Sequence, residues 1–496
     1  MTEFDQYVNL GVSYALKADW DKDIQEQTAA IQMGVQVPDL NAAYANRSYA
    51  YDNKGLYNQA ISDADNAIKL NSSDEFAYLA RGEAYAIAEQ YVAAINDLTT
   101  AISLKSVDAG AYSERGYVYL MLDQNNLALA DINHAIALEP DLAPAYVNRG
   151  VLYLQEARPD LTIADETTGL RLKPTDPIAY FIRAKAYMIM KKFGPAVADF
   201  TQVIKLNPTN LFAYVLRGDG ELNLHLCQSS VADETIVIQS NKLTPQGQFL
   251  SYFVRGNAYG CEHSYDQDIS DQTAAITLIP NDPVPYINRG IAYSNKNMWG
   301  HDINDQNTAL NLPGISKISR YNCYIELAVA YNATKQFNAA FKSSSLAIAL
   351  FPSFSRAYTE RSVSYGKTGR YDKAIADDTT AITFNPKDDA AWNNRCWYRA
   401  IAGQLATALV DCKHSLQLVP GVAGTLDSLG FVYLKMQNYK ASITNYTAAI
   451  KADPTLASSF YGRGLAEKAS GNATAAKTDF AAAAKIDPGI AEDFGK

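Results

Sequence analysis

The residues with the most regular chemistry are an arginine and a carboxylate sixteen positions apart. Arg47, Arg81, Arg115, Arg149, Arg183, Arg217, Arg255, Arg289, Arg361, Arg395 and Arg463 are followed at that distance by Asp63, Asp97, Asp131, Asp165, Asp199, Asp233, Asp271, Asp305, Asp377, Asp411 and Asp479. Opposite charges so spaced suit either an array of ligand-binding or catalytic sites or a ladder of ion pairs. Where the arginine is lost the acid goes with it: Leu327 comes with Ser343 and Leu429 with Asn445, and Leu10 with Glu26 is the one mismatch. Shifting the pairing by one recurrence leaves four mismatches. Charges that disappear together are structural partners, so pairs such as Arg115 with Asp131 and Arg149 with Asp165 are expected to hold the fold. Stranding one member of a buried pair costs about 3–5 kcal/mol.

Other chemistries lack their spacing. No GxSxG elbow or GxxxxGK(S/T) loop occurs, and Gly218-Asp219-Gly220 does not continue as a dinucleotide loop. Asp266, Asp268 and Ser270 begin like a calcium loop, but Asp271 stands where that loop needs glycine and Thr277 where it needs glutamate. His263 and His301 fall at different places in the recurrence, which argues against a metal site. The cysteines Cys227, Cys261, Cys323, Cys396 and Cys412 are odd in number and have no CxxC spacing, so neither a zinc site nor a disulfide framework is expected. No catalytic residue, metal or cofactor is expected, and the chain is read as non-enzymatic. Asp268 and Asp302, like Asp23, stand where most copies carry a small apolar residue. A carboxylate there is expected to be a structural acid, desolvated and raised in pKa unless Tyr259, Tyr293 or the neighbouring arginine satisfies it.

These side chains must be positioned by a 34-residue recurrence. Its eighth place is small throughout, at Gly11, Ser48, Gly82, Gly116, Gly150, Ala184, Gly218, Gly256, Gly290, Ala328, Ser362, Cys396, Gly430 and Gly464. The copies span 4–37, 41–74, 75–108, 109–142, 143–176, 177–210, 211–244, 249–282, 283–316, 321–354, 355–388, 389–422, 423–456 and 457–490. A fixed period of this size predicts one solenoid over 1–496, in which each unit stacks on its neighbours. In the copy 75–108, Tyr78, Gly82, Ala84 and Tyr85 share one face of a first helix. Tyr91, Ala94, Ile95, Leu98, Ala101 and Ile102 form the stripe of a second, and Pro at place thirty-two, as in Pro140 or Pro386, stops it. The unit is an antiparallel helical hairpin. The period lengthens at three points, predicting extra loop residues near Gly34-Val35-Gln36, Thr244-Pro245-Gln246-Gly247 and Pro313-Gly314-Ile315.

A large residue at four, small at eight, Tyr at eleven, an aromatic at seventeen, Ala at twenty and Pro at thirty-two resemble the tetratricopeptide repeat over essentially the whole chain. The resemblance implies an all-α, right-handed superhelical solenoid whose first helices line the concave face. It also implies that places two, five, nine, twelve and thirteen face that groove. Apolar candidates there are Phe76, Leu79, Tyr117, Met121, Val147, Val151, Leu154, Phe181, Met188, Phe212, Val215 and Phe253; Asn257, Asn288 and Asn295 make repeats eight and nine polar. Asn257 and Asn288 fit the two asparagine places of the family's carboxylate clamp, whereas Phe253 stands where that clamp needs lysine.

The expected partner is a protein or peptide held as an extended or helical segment in the groove. Two alternatives stand beside it, a substrate-recruiting arm of a larger enzyme or secretion assembly and a self-assembling structural protein, so a homo-oligomer is left open. The Ala-rich stretch 475–486 reads as a terminal cap. The net charge of −10 opposes sequence-independent nucleic-acid binding. With no apolar run near the roughly 20 residues a membrane helix needs, no membrane insertion is expected, and a reducing cytoplasmic setting is the default.

Overall fold

The computed structural model describes residues 2–34 and 39–494. It contains twenty-nine helices and no strand among the described residues. Successive helices pack as antiparallel hairpins, and the chain is a helical-repeat solenoid. Its contacts fall into two units, Met1–Val237 and Ile238–Lys496, each a series of hairpins of the same design.

One hairpin explains the rest. Glu75–Ile87 forms the first helix, capped by the Asp74 side chain, which accepts from the Ala77 N–H. Tyr91–Leu104 forms the second. Between them the Gln90 N–H donates to Tyr85 O at 2.8 Å, which requires Glu89 to turn left-handed at φ 59°. The fifteenth place is left-handed in every repeat, although only Gly55, Gly369, Gly403 and Gly471 are glycines there. Gly82 has its role elsewhere: a Cβ on it would come within 2.8 Å of Leu98 Cγ, so the second helix seats a full side chain against bare backbone.

The twenty-fourth place, which Leu98 occupies, is filled differently along the chain. Ile132, Phe200 and Tyr446 are apolar or aromatic plugs, all fully buried. Glu166 and Asp378 bury carboxyls in the same place. Neither oxygen of Glu166 has a hydrogen-bond partner among the described residues, and burial pushes its pKa up to about 10; burial likewise holds the Asp378 carboxyl well above the usual range. The Glu166 carboxyl is therefore protonated at neutral pH.

Three expectations change. Cys396 and Cys412, at places eight and twenty-four, are joined in a disulfide with their Cα atoms 5.3 Å apart. The sixteen-residue spacing that juxtaposes arginine and acid also juxtaposes the next residue of each helix, which a search for CxxC motifs does not detect. Two of the three insertions are helical. Pro245–Cys261 and Lys317–Ala333 each have 17 residues where the usual first helix has 13, so the added residues form one further turn at the N-terminus. Thr244 and Ser316 cap these turns through their side chains. Of the first insertion, Val35 and Gln36 lie outside the described residues. At the far end the last long helix is Ala473–Ile486, and Ile490–Asp493 follows it. The Phe494 ring packs on Phe431 and Tyr461, at 5.6 and 5.1 Å between centroids.

Candidate functional site

The arginine ladder is present in eleven repeats. In each, Nε and Nη2 of the arginine and the two carboxylate oxygens form the planar fork that guanidinium favours; Arg115 donates to Asp131 at 2.7 and 3.0 Å, and Arg149 to Asp165 at 2.7 and 2.8 Å. The third nitrogen does something the sequence pairing left out. Nη1 reaches the second helix of the preceding repeat, from Arg115 to Thr99 Oγ1 at 3.1 Å and from Arg149 to Asn133 Oδ1 at 2.8 Å. Around Arg115, tyrosines at places four and eleven sandwich the group, the Tyr112 and Tyr119 centroids lying 5.6 and 5.9 Å from its guanidinium carbon. In ten of the eleven repeats the arginine thus closes its own hairpin and fastens it to the one before.

The groove candidates divide by place in the repeat. Leu79, Val147 and Val215, all at place five, are buried, Val215 almost completely. They pack between neighbouring hairpins and leave little surface for a ligand, whereas Phe181 and Phe253, at the same place of the repeat, are half-buried. Phe76 and Tyr117 pack beside Leu79 in one core cluster, while Met121 and Val151 border the next. Phe181 and Met188 border the cluster around Phe200, with Phe181 edge-on to the Phe200 ring at 5.7 Å. Leu154 is half-buried, and Phe253 stacks on Phe249 at 6.1 Å. Phe212, half exposed, is the large apolar candidate most open to solvent.

The three asparagines converge. Asn257, Asn288 and Asn295 line a cavity of about 570 Å³ together with Gly260, His263, Tyr265, Asp268, Ile291 and Ala292, all within Ile238–Lys496. Asn257 and Asn288 are 31 residues apart, three short of the period, which sets the second one turn down the neighbouring first helix. Asn257 Oδ1 accepts from Asn288 Nδ2 at 2.7 Å and from Gln272 Nε2 at 2.9 Å. Two donors on one oxygen fix the amide, and its Nδ2 has no partner among the described residues. Asn295 donates to the Ile291 carbonyl on its own helix, keeping its oxygen as an acceptor. His263 Nδ1 and the Tyr265 hydroxyl are hydrogen-bonded at 2.8 Å on the rim.

Asp268 forms part of the cavity floor and is nearly fully buried. Its Oδ1 accepts from Gln272 Nε2 at 3.2 Å, four residues on in the same helix. The same carboxylate and amide pair recurs as Asp302 with Gln306 at 3.0 Å and Asp23 with Gln27 at 3.1 Å. Neither tyrosine nor arginine bonds these acids; glutamine at place twenty-four donates to one oxygen of each. In each case the glycine at place eight makes room, and a Cβ on Gly290 would meet Gln306 Nε2 at 2.5 Å. Burial pushes Asp268 and Asp302 to about 7 and Asp23 to about 6, against the lowering effect of the glutamine hydrogen bond. The glutamines were legible as an i, i+4 spacing from the odd acids, but the sequence reading weighed the acids alone.

No helix among the described residues is long and apolar enough to cross a membrane. A family model described as the tetratricopeptide repeat matches residues 42–74, 178–210, 355–388 and 423–456. No curated protein matches the chain in sequence. Among solved structures, the APC/C hetero-tetramer Cut9–Hcn1 is similar at 14% identity over 95% of this chain and 96% of that one, with a TM-score of 0.44. A tetratricopeptide repeat protein from Parabacteroides merdae is similar at 19% identity over 51% and 98%, with a TM-score of 0.39. The P58(IPK) TPR domain is similar at 17% identity over 80% and 98%, with a TM-score of 0.33. None of these likenesses bears on what this chain binds.

Proposed function

We propose that this chain, a tetratricopeptide-repeat protein, is a non-enzymatic scaffold that holds an extended segment of a partner protein against the first helices of repeats eight and nine. The observation that carries the reading is the fixed amide of Asn257. Pinned by Asn288 and Gln272, it lines an open cavity with its N–H2 unpartnered among the described residues, and Asn295 lines the same cavity with its amide oxygen left as an acceptor. A donor and an acceptor held on rigid helices are what an extended backbone requires, because its own N–H and C=O groups alternate. Such a site recognises main chain first. Side-chain selectivity falls to Ile291 and to Asp268 beneath it.

Photo-crosslinking tests this. With a benzophenone amino acid in place of Ile291, an adduct with a partner protein is expected in extracts of the source cells. The same group in place of the exposed Gln267, outside the cavity, is expected to give none. Adding Asn257→Leu and Asn288→Leu should lower the adduct yield about ten-fold by removing hydrogen bonds that orient and bind the segment. Unchanged yield in the double variant would sink the reading.

Phe212 is the corresponding probe in Met1–Val237. Phe212→Asp changes a half-exposed ring and is expected to leave the melting temperature within about 2 °C, as for surface substitutions generally. It should weaken capture of any partner that uses that face, read in the same crosslinking format. Phe181→Asp is a poor probe, because it places a charge against the buried Phe200 ring.

A further inference from the structure

We infer that repeat ten carries a second binding site, on the ion-pair side of the hairpin, which takes a carboxylate from an acidic peptide segment of a partner. The starting point is the missing ion pair. In repeats two to four the space between the tyrosines at places four and eleven is filled by guanidinium, as Arg47 lies between Tyr44 and Tyr51 and Arg81 between Tyr78 and Tyr85. Repeat ten keeps both tyrosines, Tyr324 and Tyr331, and keeps Asn307 at the place of the preceding repeat where Nη1 otherwise docks. Leu327 and Ser343 replace the arginine and the acid. The shorter side chains leave a cavity of about 410 Å³ lined by all five.

The balanced ion pair of the other repeats has given way to a net positive charge at this cavity. Arg320 and Lys342 line it, and neither has a carboxylate partner among the described residues, although the neighbouring Arg356 pairs with Glu326 at 3.0 Å. Arg320 stands on the added turn that opens Lys317–Ala333, so the four-residue insertion brings a cation to the repeat that lost its own ion pair. A guanidinium and an ammonium beside one cavity in a chain of net charge −10 select an oxyanion. The amides select its carrier. Asn307 Nδ2 donates to the Ile303 carbonyl and Asn311 Nδ2 to the Asn307 carbonyl, at 2.7 and 3.0 Å, leaving both amide oxygens as acceptors. Acceptors suit the N–H groups of a peptide and repel a bare phosphate. Leu310 and Leu346 complete the wall and fit an aliphatic neighbour of the acid.

The test uses the full chain and fluorescence anisotropy of a fluorescein-labelled peptide alternating glutamate and leucine, beside its glutamine-for-glutamate counterpart. The acidic peptide is expected to bind about ten-fold more tightly, and Arg320→Gln or Lys342→Gln should each remove most of that difference. Leu327→Arg with Ser343→Asp rebuilds the ion pair of the other repeats and is expected to abolish binding while thermal stability holds or rises. Equal affinity for the two peptides, binding that survives the rebuilt pair, or displacement of the peptide by inorganic phosphate at equal charge concentration would each overturn the proposal. The two single cation variants lie on the surface and do not depend on the rebuilt pair folding.

Discussion

Arg289→Ala is expected to destabilise its part of the solenoid by about 3 kcal/mol, because it strands a carboxylate that has almost no access to water. Arg289 Nε and Nη2 donate to Asp305 at 2.8 Å each, and only 3% of the Asp305 side chain is exposed. The same substitution removes the bond from Nη1 to Thr273 Oγ1 at 3.0 Å and the cation held over the Tyr286 ring. It therefore loosens the hairpin and its attachment to repeat eight together. Repeats contact only their neighbours, so the effect should be local: amide exchange should accelerate over repeats eight to ten and stay unchanged near the ends. Replacing both partners, Arg289→Met with Asp305→Leu, is expected to recover most of the loss, since no charge is then left buried. A single variant that exchanges and melts like the parent would show that the pair contributes nothing.

Asp302→Asn is expected to act in the opposite direction. Asp302 is fully buried, its Oδ2 has no partner, and burial raises its pKa from 3.8 to about 7. The folded state thus keeps a proton that the unfolded chain releases between about pH 4 and 7. Stability is highest below pH 4, falls as the pH rises through this window, and is level above the folded pKa. A shift of this size corresponds to about 4 kcal/mol as an upper order of magnitude. Asparagine keeps an acceptor for Gln306 Nε2 and has no charge to desolvate. At pH 8 the variant should be the more stable by about 2–4 kcal/mol, and the difference should vanish at pH 4. Urea unfolding at the two pH values, followed through tryptophan fluorescence, measures both. A variant equally or less stable at pH 8 would rule out a desolvated carboxylate at this place.

Both substitutions lie in repeat nine and probe what sequence periodicity could and could not convey. The ladder was legible because arginine and acid vary together, and their sixteen-residue spacing needs only a hairpin to become contact. The reach of Nη1 to the preceding repeat was hidden, since its acceptors vary among Thr28, Asp65, Thr99 and Asn133. Hydroxyl, carboxylate and amide all accept one hydrogen bond there, so no single residue type marks the place. The asparagines of repeats eight and nine stood out by type. Their convergence on one cavity depends on the 31-residue diagonal between adjacent first helices, which follows from how far one hairpin is displaced on the next.

The sequence alone determined the helical hairpin, its length, its ion pair and its stacking, because each rests on a pattern repeated until chance is excluded. Tertiary structure decided the exceptions. It buried Leu79, Val147 and Val215, turned two expected loops into added helical turns, and joined Cys396 to Cys412. It also gave the buried acids glutamine partners and opened a cavity where repeat ten lacks its pair. The physical reason is the same for all five. Periodicity specifies what identical neighbours do to one another, whereas a departure from it takes its meaning from the unlike side chains brought against it, and only the packed chain fixes which those are.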